Sequence, residues 1–94
     1  MSDAIMKVVH DLDQQAVTIV MAMRGAMADP AITDGQLAKL YSAAHGYASL
    51  MESAAASLTD THADEDDIDL AEEVAEPFGD VSVELAAMMR ARRR

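Results

Sequence analysis

Residues 16–23 read Ala16-Val17-Thr18-Ile19-Val20-Met21-Ala22-Met23, and their conformation decides the fold. Taken alone, the β-branched run Val17 to Val20 suits a buried strand. Its flanks say otherwise. Ile5, Val9, Leu12, Ala16, Ile19, Met23 and Ala26 recur at spacings of 4-3-4-3-4-3, the period of one helix face, without losing phase through the run. The stretch is therefore read as helix. Ser2 or Asp3 caps its start, and Asp29 before Pro30 disfavours further helix, so the element covers about 3–28. Gly25 is a C-cap or a weak point. Val17, Val20 and Met21 lie beside the stripe, so this half is expected to be central and buried on two faces.

Two more stripes follow. Leu37, Tyr41, Ala44, Ala48, Met51, Ala55 and Leu58 repeat the same spacing. Thr33 with Gln36 three residues later is a capping-box pair, so the second helix covers about 34–58. Asp34-Gly35 resembles a hairpin turn, but beside that pair it reads as a helix N-terminus. Gly46, between Ala44 and Ala48, suggests a close helix contact. Ala71, Val74, Phe78, Val81, Leu85 and Met88 form the third stripe and keep phase through Pro77 and Gly79. Glu76-Pro77-Phe78-Gly79-Asp80 nevertheless looks like a break or sharp kink, giving helices of about 64–76 and 80–92. The expected fold is an all-α, antiparallel three-helix bundle forming a single domain over 1–94, its third helix kinked or broken at Pro77-Gly79, with a basic tail at 90–94.

Composition narrows the function classes. Cysteine is absent, which excludes disulfides, thiolate metal sites and Cys nucleophiles. The start Met1-Ser2-Asp3-Ala4 lacks the basic residues of a signal peptide, and the longest apolar run is too short to span a bilayer. A cytoplasmic location is expected. The net charge is −10, and no Lys or Arg occurs between Lys39 and Arg90. That field disfavours direct nucleic-acid or membrane binding, except through the Arg90–Arg94 tail.

The acids form a row. Glu65, Asp69, Glu72, Glu76 and Asp80 recur at helical spacing away from the third stripe, and Asp66, Asp67 and Glu73 widen it. Part of the row is explained by the helix dipole, which favours acids near an N-terminus. The remainder is either a solvated face or a binding surface for a basic partner. Carboxylates one helical turn apart lie about 5–6 Å from each other, close to the spacing of phosphates along a nucleic-acid strand. Candidate partner-binding residues are thus Glu65, Asp69, Glu72, Glu73, Glu76 and Asp80.

Other chemistry is thin. Asp60, His62, Asp64 and Asp66 alternate like the early ligands of a calcium loop, but Glu65 replaces its turn glycine and Ala71 its final glutamate. His10, His45 and His62 have no paired zinc spacing. His45 lacks a nucleophile and an orienting carboxylate nearby, so it is read as a boundary histidine hydrogen-bonded at a helix interface. No phosphate loop or catalytic elbow is present, so no enzyme activity and no cofactor are expected. Leu40, Tyr47, Leu50 and Ala54 form a second apolar line on helix two, and Met is abundant. This surplus points to a homodimer, with Val20, Leu40, Tyr47 and Leu50 as self-association residues. The sequence therefore indicates a non-catalytic interaction module: a small acidic adaptor, regulator or inhibitor of another protein. The alternatives are a nucleic-acid mimic of anti-restriction or anti-CRISPR type and a small structural subunit of a larger assembly.

Overall fold

A computed structural model describes residues 2–93. The chain folds as an antiparallel three-helix bundle of α1 (Ser2–Met27), α2 (Asp34–Asp60) and α3 (Glu65–Arg92), with no strand among the described residues. Residues 16–23 are helical throughout. Intrinsic β preference is worth little when every fourth and third neighbour offers an apolar face to the same core. α1 starts at Ser2 with Asp3 already in its first turn, so Asp3 is not the residue that precedes the helix, and Met1 lies outside the described residues.

The turns are built from local polar chemistry. Asp29 Oδ1 accepts from the Ala31 amide at 2.9 Å, and the Ile32 amide donates to the Asp29 carbonyl at 3.1 Å. Pro30 presets the backbone between them. The turn tucks Ile32 into the core. Thr33 then caps α2. Its Oγ1 accepts from the Gln36 amide at 3.1 Å, and Gln36 Oε1 accepts from the Thr33 amide at 2.9 Å. This is the reciprocal capping box read from the sequence. Gly25 lies inside α1, not at its C-cap.

The second connection is closed by backbone hydrogen bonds. The His62 amide donates to the Thr59 carbonyl at 3.1 Å, and the Ala63 amide to the Leu58 carbonyl at 3.0 Å. Together they close α2 with a Schellman motif. The pattern requires a left-handed residue, and His62 supplies it with φ 57°. Ala63 then packs, partly buried, against the core.

One core runs the length of the bundle. Val9, Leu37, Met51, Leu58, Phe78, Val81 and Leu85 are its largest fully buried side chains. α2 and α3 make the closest pair, because their facing surfaces are small: Ala44, Ala48, Ala55, Ala71, Ala75 and Ser82 are buried there. α1 covers this pair with Val9, Leu12, Ala16, Val20 and Met23.

Four expectations are corrected. α1 is not central: Val17 is 70% and Met21 68% exposed, because α2 and α3 occupy each other and only one face of α1 has a partner. Of the kinked and broken alternatives at Pro77-Gly79, the break is excluded: α3 is one helix with Pro77 inside it. Val74, Phe78 and Val81, buried on either side of the proline, anchor both halves to the same core and offset the lost backbone bond. Gly46 faces open space, and a Cβ there would meet nothing within 4 Å. His45 is exposed and makes no helix-interface hydrogen bond; it stacks on Tyr41 one turn earlier, with ring centroids 5.8 Å apart and planes 8° apart.

Candidate interaction surfaces

α3 carries the acidic row because its apolar stripe faces α1 and α2, which turns the opposite side to solvent. Glu65, Asp69, Glu72, Glu73, Glu76 and Asp80 are all exposed. Glu65 to Asp80 spans roughly 22 Å along the helix at 1.5 Å per residue. None of the six is ion-paired among the described residues. The two pairs present are Arg24–Glu84 at 3.3 Å and Arg92–Asp34 at 2.9 Å. Both are solvent-accessible ties of α3 to its neighbours, worth at most about 1 kcal/mol each.

Beyond Asp80 the same side of α3 changes character. Val83 follows at 67% exposure, and then the helix reaches Arg90 and Arg92 in its last turn. Acids at the N-terminus and arginines at the C-terminus both match the helix dipole. The order of charges thus stabilises α3 as well as presenting a field. The expected basic tail is largely helical, with Arg92 turned back to Asp34. Arg94 lies outside the described residues.

The four self-association candidates divide. Leu50 is 47% exposed and available. Leu40 is half-buried against the core. Tyr47 is also half-buried, its ring packed on Phe78. Val20 is a core residue at 8% exposure, so its assignment to a surface is corrected: it sits one turn from Ala16, on the side of α1 that meets the bundle. The exposed apolar residues that the sequence reading did not place at the surface are Val8, Val17, Met21 and Val83: Val17 and Met21 were expected to be buried, and Val8 and Val83 were not singled out.

Two open apolar hollows lie between α1 and α2. One, of about 210 Å³, is lined by Ile5, Val8, Leu50, Ser53, Ala54 and Ser57. The other, of about 340 Å³, is lined by Ala26, Asp29, Ile32, Gln36, Lys39 and Leu40. A third, between α1 and α3, is lined by Ala16, Val17, Val20, Met21 and Pro77. None brings a nucleophile together with a base. Among the described residues no three His, Asp or Glu side chains converge as metal ligands. No described helix is long and apolar enough to cross a membrane. Comparison with known proteins leaves the site to be read from its own chemistry: no family, no curated protein and no solved structure matches this chain.

Proposed function

We propose that the protein is a non-catalytic interaction module whose acidic α3 face docks on a basic surface of another protein, as a small adaptor, regulator or inhibitor would. One observation carries the reading. Six exposed carboxylates occupy one helix with no ion pair among the described residues, and the chain has no Lys or Arg between Lys39 and Arg90 to relieve them. Like charges one turn apart destabilise an isolated helix by about 0.2–0.5 kcal/mol per pair. A basic partner removes that repulsion and gains orientation from the field. The single-turn spacing of these carboxylates also favours a basic groove that otherwise holds nucleic acid, which makes mimicry the more specific form of the same reading.

The test compares wild type with the Glu72→Lys, Glu73→Lys, Glu76→Lys triple variant as immobilised bait in lysate of the source cells. Bound proteins are identified by mass spectrometry at low and high salt. The reading expects a basic partner that is captured by wild type, released by salt and lost on charge reversal. A partner retained by the triple variant sinks it.

A further inference from the structure

We propose that the outward face of α3 pairs antiparallel with the same face of a second copy of this chain. α3 carries two stripes at heptad spacing, and one of them is the core stripe. The other points away from the bundle. It runs through Glu65, Asp69, Glu72 and Glu76, continues through Gly79, Val83 and Ala86, and ends at Arg90 and Arg93, at spacings of 4-3-4-3-4-3-4-3. Its acids, Val83 and both arginines are exposed, and Gly79 and Ala86 are half-buried.

The stripe is acidic, then small and apolar, then basic. Reversed, it complements itself. Glu65 and Arg93 lie equally far from Gly79 along the chain, as do Glu72 and Ala86. A two-fold axis through Gly79 therefore sets Glu65 and Asp69 of each copy against Arg93 and Arg90 of the other. Val83, 67% exposed in the single chain, then lies within the contact. Gly79 leaves room at the axis, where an added Cβ would meet nothing of its own bundle.

Charge decides the occupant. Neither Arg90 nor Arg93 is ion-paired among the described residues, whereas Arg92, off the stripe, turns back to Asp34. Ala86, Arg90 and Arg93 line an open hollow of about 320 Å³ with Tyr41 and Met89, so the basic end has a recess for carboxylates. The helix dipole favours arginines in a last turn, but it does not place them on the stripe of the acids. Each chain has a net charge of −10, and a parallel α3 pair would set acid against acid along its first half. The reversed pair gives each acidic end a basic one. One repulsion remains: Asp80 follows Gly79 and meets its own image beside the axis. The second copy and a basic protein compete for this face, and the dimer is the form without that protein.

Sedimentation equilibrium of the full chain at low salt tests the pairing, with circular dichroism to show that each variant is folded. Wild type is expected to dimerise at micromolar concentration and to dissociate as salt rises. Arg90→Glu with Arg93→Glu, and separately Glu65→Lys with Asp69→Lys, should each weaken the dimer by about 100-fold. An equimolar mixture of the two double variants should associate as wild type does, because each carries the charge that the other has lost at both ends. Asp80→Asn should tighten the dimer. A wild-type chain that stays monomeric, a dimer indifferent to both double variants, or a mixture that fails to associate overturns the proposal. The arginine variant keeps the whole acidic row, so its capture of a basic protein does not depend on the dimer, and the two readings fail separately.

Discussion

Tyr47 of α2 rests its ring on Phe78 of α3, with centroids 4.9 Å apart and planes tilted by 37°. The pair joins the two most closely packed helices just beyond Pro77. It also explains why Tyr47 belongs to the core and not to a free surface. Truncating fully buried Phe78 to Ala should lower stability by about 3–5 kcal/mol. A double-mutant cycle with Tyr47→Leu should return a coupling of about 0.5–1.5 kcal/mol. Urea unfolding of the four proteins measures both, and additive losses would show that the rings share no specific contact energy.

The left-handed backbone at His62 is held against its own side chain. Glycine takes this conformation without steric cost, whereas other residues lose roughly 1–2 kcal/mol there. His62→Gly should therefore raise the unfolding free energy by about 1 kcal/mol, even though glycine destabilises most positions. Chemical denaturation reads the change, and an unchanged or lower midpoint means that His62 has compensating contacts.

Gly46 offers the opposite substitution. It is helical, and a Cβ added there meets nothing, so only backbone entropy and helix propensity change. Gly46→Ala should stabilise by about 0.5–1 kcal/mol, which for a domain of this size is several degrees in Tm. A fall in Tm on calorimetry would instead reveal the close helix contact that Ala44 and Ala48 suggest.

Pro77 interrupts the backbone ladder of a helix that continues past it. Pro77→Ala restores an amide able to bond the Glu73 carbonyl. It also trims the apolar wall that Pro77 gives to the hollow shared with Ala16 and Val20. The first effect is larger, and a net gain of about 1–2 kcal/mol is expected. If thermal unfolding shows a loss instead, the proline shapes α3 in a way the core depends on.

The local elements were legible because their causes are local. Period in the apolar residues identified three helices, and two side chains three residues apart identified the cap of α2. The acidic row followed too, since a helix that turns one stripe inward must turn the other outward. His62 was illegible because its left-handed conformation is imposed by the closing bonds from Ala63 and His62 itself, with no glycine to announce it. Val8 escaped notice for a different reason: in a linear sequence it is one apolar residue among many.

Sequence alone thus determined that this chain is helical, where its three helices begin to within one residue, and which charges share a side. Only the packed bundle decided which apolar face of α1 is inside, with Val20 buried and Val17 exposed three residues apart, and whether Pro77 divides α3. The physical reason is competition. Alanine-lined α2 and α3 fit each other so closely that α1 is left to cover them from one side, and no periodicity within α1 encodes how well its neighbours match one another.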